Sequence, residues 1–149
     1  MDLAELGRVA GRLARALRPG ELVLLYGPLG AGKTTFVREV ARSLGVRDTV
    51  RSPSFTIANV YAGAECRINH LDLYRLEEIA DEDVVALEEY VEPAAVTLVE
   101  WPESGLERLG RPQWTVLLEH DSVRTRRLTL RAEGAEQAAR WRAAAEPDA

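Results

Sequence analysis

The sequence predicts a three-layer α/β fold, with helices covering a mostly parallel central sheet that carries antiparallel additions. Two short apolar runs, 22–26 and 95–99, have the continuous apolar composition of strands buried on both faces. Helical patterns flank the first run, at 3–17 before it and at 36–44 after it. A chain of 149 residues is about the size of one domain, so we expect a single domain over 1–149.

The first predicted helix is amphipathic and ends before the Pro19-Gly20 pair. Its apolar residues recur at helical spacing: Leu6, Val9, Leu13 and Leu17. The strand at 22–26 leads into a glycine-rich loop, and the helix after that loop ends at Gly45. A glycine loop between a strand and a helix is the context in which such loops bind phosphate.

The rest of the chain predicts more strands than helices. The extended stretches 57–61 and 66–73 are joined by a short segment around Gly63, which is typical of a hairpin. The other predicted elements are a helix over 77–91, strands over 95–99, 114–118 and 128–130, and a terminal helix over 135–145.

Composition and charge disfavour several classes of protein. The net charge of −5 disfavours broad, unaided nucleic-acid binding, which depends on cations that neutralise phosphates. The single cysteine, Cys66, rules out an intramolecular disulfide and fits a reducing compartment. No apolar run approaches the roughly 18 residues that span a bilayer, and the first residues lack the pattern of a signal peptide. We therefore expect a cytoplasmic protein with no membrane partner.

The glycine-rich loop contains Lys33, the only lysine in a chain whose other basic side chains are arginines. The segment Gly27-Pro28-Leu29-Gly30-Ala31-Gly32-Lys33-Thr34 has the spacing G-x-x-x-x-G-K-[ST] of the phosphate-binding loop of nucleoside triphosphatases. In that motif, backbone N–H groups bind phosphate oxygens, the lysine reaches the β- and γ-phosphates, and the hydroxyl binds Mg²⁺. The predicted nucleotide-binding residues are Leu29, Gly30, Ala31, Gly32, Lys33, Thr34 and Thr35.

A magnesium nucleotide site also needs a carboxylate at the end of a neighbouring strand. Glu100 follows the apolar run 95–99, and we expect it to hold Mg²⁺ directly or through water, or to polarise the attacking water. His70 and Asp72 are two residues apart in an extended stretch, so both could point together at the phosphates or the metal. Two such ligands fall short of the four that a closed zinc site needs.

Four motifs, in this order, resemble the TsaE family of small bacterial ATPases that are required to make threonylcarbamoyladenosine in tRNA. They are the loop through Thr35, Ser52-Pro53-Ser54-Phe55-Thr56, His70-Leu71-Asp72-Leu73-Tyr74-Arg75-Leu76, and Val99-Glu100-Trp101-Pro102. The order and spacing match over about residues 3–131, which is most of the chain.

The resemblance implies a P-loop domain that binds ATP against the glycine-rich loop. It implies that Thr34 and Glu100 hold Mg²⁺, and that Asp72 is important for turnover alongside Lys33. Trp101 would lie beside the active site. The resemblance also implies a nucleotide contact at Arg124 and nucleotide-sensing switch residues at Ser52, Ser54 and Thr56. By position, His70 would lie next to the site, and Leu3 stands near the family's threonine beside the adenine.

The resemblance also implies a partner, a TsaB–TsaD complex that performs the carbamoyl transfer. Binding or hydrolysis of ATP by this chain would reset that complex between cycles, and tRNA would be contacted only indirectly, through the partners. The negative net charge agrees with that arrangement.

Two other functions stay open at the level of sequence. A small-molecule kinase would need an arginine-bearing lid, whereas the corresponding segment, 77–92, is acidic and contains no arginine. A nucleotide-gated binding module without turnover would share every ligand of a slow hydrolase. Substitution of Glu100 or Asp72 separates these readings, because only a hydrolase loses turnover while it keeps ATP binding.

Overall fold

The structure is a computed structural model that describes residues 1–51, 53, 57–74, 86–123 and 125–145. Its helices are α1 (Leu3–Ala16), α2 (Lys33–Ser43), α3 (Leu106–Leu109) and α4 (Ala135–Ala143). Its strands are β1 (Leu22–Tyr26), β2 (Ala58–Ala62), β3 (Arg67–Asp72), β4 (Ala95–Glu100), β5 (Trp114–His120) and β6 (Arg126–Ala132). Two short 3₁₀ segments cover Ala86–Tyr90 and Pro102–Ser104.

The six strands form one sheet in the order β2-β3-β4-β1-β5-β6. The four central strands, β3, β4, β1 and β5, are parallel to one another, and the edge strands β2 and β6 pair antiparallel with β3 and β5. The prediction of a mostly parallel sheet with antiparallel additions is therefore confirmed. The predicted hairpin is the β2–β3 pair at one edge of this sheet.

Two apolar clusters lie on opposite faces of the sheet. The larger one joins α1 and α2 to the side chains of β1 and β4 that point toward them, such as Leu25 and Leu98. The smaller one joins the alternate side chains, such as Leu24 and Val99, to Leu87 and Leu109. Both β1 and β4 bury side chains on both faces, which explains why their sequences are continuously apolar.

Helix α1 begins where the Asp2 side chain accepts a hydrogen bond from the backbone N–H of Glu5 at 2.9 Å. Its buried stripe includes Leu6, Ala10 and Leu13, as its helical spacing predicted. This stripe packs against α2, whose buried face includes Phe36, and thereby holds α2 on the sheet. The first turn of α2 carries Lys33, Thr34 and Thr35 of the predicted nucleotide-binding residues.

The structure corrects some predicted boundaries. The strand predicted over 95–99 extends through Glu100, and the strands predicted over 114–118 and 128–130 are longer at 114–120 and 126–132. Of the helix predicted over 77–91, the described part is a 3₁₀ segment, Ala86–Tyr90. Residues 75–85 lie outside the described part of the chain. Within the described part, no helix is long and apolar enough to cross a membrane.

Candidate functional site

The sheet topology brings the predicted site residues to one edge of the sheet. Three parallel strands end there: β1 leads into the glycine loop, β3 ends at Asp72 and β4 ends at Glu100. In the register, Glu100 pairs with Asp72 on one side and with Leu25 of β1 on the other. Ligand sites of open α/β sheets form outside these carboxyl ends, so the topology alone marks this edge.

The glycine loop is fitted closely against β5. A Cβ atom added to Gly27 would lie 2.3 Å from the carbonyl oxygen of Leu118, and the φ of +148° at this position also favours glycine. At the other end of the loop, Gly32 has a φ of +103° and caps α2 without a side-chain hydrogen bond to the helix. The amino terminus of α2 therefore faces the loop with no side-chain cap, as an anion site requires.

Lys33 is folded back over the loop and is only 5% exposed. Its ammonium donates hydrogen bonds to the carbonyl oxygens of Gly27 and, at 3.4 Å, Pro28. It also lies 3.6 Å from the centre of the Trp101 ring, a cation–π contact. Burial lowers the pKa of Lys33, and the nearby carboxylates of Glu100, Glu103 and Asp72 oppose that shift.

Thr34 and Glu100 meet in the interior of the site. The Thr34 hydroxyl lies 2.9 Å from both carboxylate oxygens of Glu100, which is 3% exposed. The hydroxyl carries a single hydrogen, so it donates to one oxygen at a time. The pair exists because α2 begins directly above the end of β4, on the face of the sheet that α2 covers.

His70 contacts the carboxylate of Glu100. It is fully buried on β3, and its Nε2 lies 2.6 Å from Glu100 Oε2. Asp72 lines the cavity beside the loop, whereas His70 lies behind the Glu100 carboxylate and does not line it. That the two could point together at the phosphates or the metal stays a prediction. The alternation of side chains along β3 correctly places His70 and Asp72 on one face of the sheet. It does not show how far each side chain lies from the carboxyl ends of the strands.

Asp72 and Trp101 line a cavity of about 310 Å³ together with the loop, Thr34 and Glu100. The Asp72 carboxylate accepts a hydrogen bond at 3.0 Å from the backbone N–H of Tyr74. Trp101 has a φ of +53°, which is rare outside glycine, and its ring packs against Tyr74 at 4.8 Å between centres. This backbone turn directs the Trp101 ring back toward Lys33.

The donor set suits Mg²⁺. Hydroxyl and carboxylate oxygens are the ligands that Mg²⁺ prefers, and neighbouring ligands of an octahedral ion with bonds of about 2.1 Å lie roughly 2.9–3.0 Å apart. The observed separation between Thr34 and Glu100 oxygens is 2.9 Å. Among the described residues, no group of three or more His, Cys, Asp and Glu side chains could hold a metal alone. An ion here would therefore share its coordination with phosphate and water.

The comparisons with known proteins agree with this geometry. A family model described as "Threonylcarbamoyl adenosine biosynthesis protein TsaE" matches residues 1–128. The chain belongs to the TsaE family. The resemblance found in the sequence motifs is thereby confirmed, and with it the link to threonylcarbamoyladenosine biosynthesis.

Among similar TsaE proteins, that of Bacillus subtilis is 34% identical over 126 residues, which is 85% of this chain and 78% of that protein. That of Streptomyces coelicolor is 45% identical over 114 residues, 72% of each chain. The crystal structure of Bacillus subtilis YdiB superposes with a TM-score of 0.79 at 29% identity, covering 97% of this chain and 89% of that chain.

A second cavity of this TsaE family member, about 330 Å³, adjoins the other side of the loop. The two cavities share Gly30, Ala31, Gly32 and Thr35. The second is also lined by residues from the start of α1 and its approach and from the region between β5 and the start of β6: Met1, Asp2, Leu3, Leu6, Val123 and Arg126. The Arg126 guanidinium donates a hydrogen bond to the carbonyl oxygen of Gly30 at 3.3 Å.

Sequence reasoning named Leu3 but did not predict Asp2 or Arg126 at this site. The only signal for Arg126 was its place two residues after Arg124, the predicted nucleotide contact. Arg124 lies outside the described residues, as do the predicted switch residues Ser52, Ser54 and Thr56. Their roles stay predictions.

Proposed function

We propose that this protein binds ATP with Mg²⁺ and hydrolyses it slowly, with stimulation by partner proteins, during threonylcarbamoyladenosine formation in tRNA. The observation that carries the proposal is the placement of Thr34 and Glu100, whose oxygens lie 2.9 Å apart beside an uncapped helix terminus. A phosphate-binding loop without such a pair would bind phosphate but would lack protein ligands for the metal.

The loop and Lys33 would bind the phosphates. Backbone N–H groups of the loop and of the first turn of α2 would donate to phosphate oxygens. Lys33 would leave its contacts with Gly27 and Trp101 and turn toward the β- and γ-phosphates, where its charge offsets theirs. Magnesium, held by Thr34 and Glu100, would supply further neutralisation of the charge that develops during phosphoryl transfer.

Asp72 is the second carboxylate of the phosphate cavity, and hydrolysis needs a group that orients water. Both carboxylates line this cavity, but Glu100 already contacts Thr34, the other proposed metal ligand, and His70, whereas Asp72 lies at the end of the neighbouring strand. We therefore assign water orientation to Asp72 and metal binding to Glu100. The sequence left this alternative open, and the assignment is part of the proposal.

The second cavity suits the base of the nucleotide. It lies on the far side of the shared loop residues from Glu100, and the apolar side chains of Leu3, Leu6 and Val123 offer a surface for a planar ring. The Asp2 carboxylate, which already accepts from the Glu5 N–H, lies at the same cavity and could accept from an exocyclic amino group.

A TsaB–TsaD complex is the proposed partner. Membership of the TsaE family supports a role beside other proteins of the same modification. The net charge of −5 supports indirect contact with tRNA, which the partners would bind. The cycle of ATP binding and hydrolysis would then act on the partners rather than supply the chemistry of the modification.

The test separates binding from turnover. Asp72→Asn should keep the affinity for a non-hydrolysable ATP analogue within about threefold, because the loop and the metal pair stay intact. Its ATP hydrolysis, measured as phosphate release, should fall at least tenfold, in the range typical of positioned acid–base groups. Asp48→Asn, a matched change at an exposed aspartate on another surface, should leave both quantities unchanged.

Each contrary result has a defined meaning. If Asp72→Asn hydrolyses ATP at the wild-type rate, the assignment of Asp72 is wrong. If the wild-type protein binds MgATP and releases no phosphate even with the partner complex, the protein is a nucleotide-gated module and the ATPase proposal is wrong. Lys33→Ala should abolish nucleotide binding while the protein still folds, and normal binding by that variant would contradict the site itself.

A further inference from the structure

One buried polar group has no role in the function proposed so far. The His70 side chain is fully buried, and its Nε2 contacts Glu100 Oε2 at 2.6 Å. Burial of a polar side chain is costly unless its hydrogen bonds are satisfied. Yet His70 Nδ1 has no hydrogen-bond partner among the described residues. An apolar side chain would avoid that cost, so the histidine needs an explanation.

We propose that His70 is a positioning residue that fixes the Glu100 carboxylate for its Mg²⁺ ligand role, an inference that rests on the proposed magnesium nucleotide site. By binding Oε2, His70 leaves the other oxygen, Oε1, available to the ion. It does not touch the nucleotide. Its effect reaches the metal only through Glu100.

The register of the sheet explains why His70 can hold this carboxylate. In the register of β3 with β4, Asp72 pairs with Glu100 and His70 pairs with Leu98. His70 therefore lies two residues farther than Glu100 from the carboxyl ends of the strands. All of these side chains project to the α2 side, because they are two residues apart on their strands. The His70 ring therefore approaches Glu100 from below, while Asp72, beside Glu100, stays in the cavity.

The donor and acceptor capacities of the two side chains fix the direction of the hydrogen bond between His70 and Glu100. A carboxylate only accepts, so Nε2 must carry the hydrogen and donate it to Oε2. Nδ1 then carries a lone pair, and an unpaired acceptor in the interior is more common than an unpaired N–H. The other donor near the carboxylate is the Thr34 hydroxyl, at 2.9 Å from either oxygen. Of these contacts, only the hydrogen bond from His70 distinguishes Oε2 from Oε1.

The contact also limits how Glu100 can move. The side chain is 3% exposed, so little of the carboxylate is open to water that could orient it. A Thr34 hydroxyl that binds a metal ion through its oxygen has one hydrogen left, so it can donate to only one oxygen of Glu100. His70 is the other described side chain that donates to Glu100. Outer-shell partners of this kind change metal affinity by about 10–100-fold when they are removed.

The test measures the Mg²⁺ dependence of nucleotide binding. The affinity for a non-hydrolysable ATP analogue is measured by calorimetry with EDTA and then across a Mg²⁺ titration. Three variants are compared with wild type. His70→Phe fills the space without a donor, His70→Gln places an amide N–H near the position of Nε2, and His70→Asn carries an amide too short to reach Glu100.

Asn69→Leu provides the matched control. Asn69 is the neighbouring buried polar residue of β3, at 3% exposure, and it donates to the Tyr90 carbonyl at 2.7 Å on the opposite face of the sheet. Its loss removes one buried hydrogen bond from the same strand without a contact to Glu100. Any effect that arises only from weakening β3 should appear equally in Asn69→Leu and in His70→Phe.

We expect His70→Phe and His70→Asn to raise the half-saturating Mg²⁺ concentration about tenfold or more. Their affinity in EDTA should stay near wild type, and His70→Gln should recover most of the Mg²⁺ response. In a Glu100→Gln background, His70→Phe should add no further loss. If His70→Phe does not fold, the comparison of His70→Asn with His70→Gln decides the question.

Two results would overturn the inference: an unchanged Mg²⁺ response in the loss variants, or an equal loss in Asn69→Leu. Failure of the proposed function is distinguishable from both. In that case the wild-type protein itself would bind the analogue equally well in EDTA and in Mg²⁺.

Discussion

Thr34→Val removes one hydroxyl group from the centre of the site and keeps the shape of the side chain. Thr34 donates one charge-assisted hydrogen bond to a carboxylate that is 3% exposed. Bonds of this kind contribute roughly 1.5–3 kcal/mol, and we count one bond because the hydroxyl has one hydrogen. With a loss of about 2 kcal/mol, the Tm of a domain of this size should fall by roughly 4–8 °C.

The functional effect of Thr34→Val should be larger than its effect on stability. Valine offers no oxygen to the ion, so Mg²⁺ should no longer strengthen the binding of a non-hydrolysable ATP analogue. Thermal unfolding is followed by circular dichroism, and the Mg²⁺ response is measured by calorimetry. Binding in EDTA should stay near wild type, because the loop N–H groups and Lys33 remain.

Thr97→Val is the matched control for this experiment. Thr97 is buried on β4 and donates to the Tyr90 carbonyl at 2.8 Å, on the face opposite Glu100. Its loss should cost about 1 kcal/mol, or roughly 2–4 °C in Tm, and should leave the Mg²⁺ response unchanged. A wild-type Mg²⁺ response in Thr34→Val would refute the assignment of Thr34 and Glu100 as the metal pair.

Three further predictions follow from the surroundings of the loop. Burial lowers the pKa of Lys33 in the folded protein. As pH approaches 10.5, the unfolded state therefore binds more protons than the folded state, so the free energy of unfolding of the wild type should rise relative to that of Lys33→Met. Thermal melts from pH 7 to 10 should show the Tm of the wild type rising relative to that of Lys33→Met. A constant difference between the two Tm values would contradict the lowered pKa. Gly27→Ala should lose about 2 kcal/mol or more in urea unfolding, because the new Cβ would meet the Leu118 carbonyl at 2.3 Å; wild-type stability would refute this. Burial raises the pKa of Cys66, so iodoacetamide should modify it more slowly at pH 8 than a cysteine in a short peptide, and an equal rate would contradict it.

Sequence patterns predicted the central strands and the glycine loop well because each has a single physical cause. The runs 22–26 and 95–99 are continuously apolar because β1 and β4 are covered on both faces. The loop sequence follows from its backbone, which needs glycine at Gly27 and Gly32. The edge strand β6 was predicted too short, because its residues alternate between half-buried and exposed positions and its polar residues hide the strand pattern.

The site required information that the sequence pattern does not contain. Alternation places His70 and Asp72 on one face of β3, but only the register with β4 shows that His70 lies behind Glu100. The second cavity brings together Asp2, near the start of the chain, and Arg126 on β6. No local pattern predicts such a contact, because it depends on how α1 and the edge of the sheet pack around the loop.

We propose that this site is that of a magnesium-dependent ATPase, which partner proteins complete. The most direct test is phosphate release from ATP by the purified protein, alone and with a TsaB–TsaD complex from the same source, with Lys33→Ala as the blank. We expect slow turnover alone, clear acceleration by the complex, and loss of both when EDTA removes Mg²⁺. Turnover that is substantial alone and unaffected by the complex would contradict it and would favour a small-molecule phosphate acceptor.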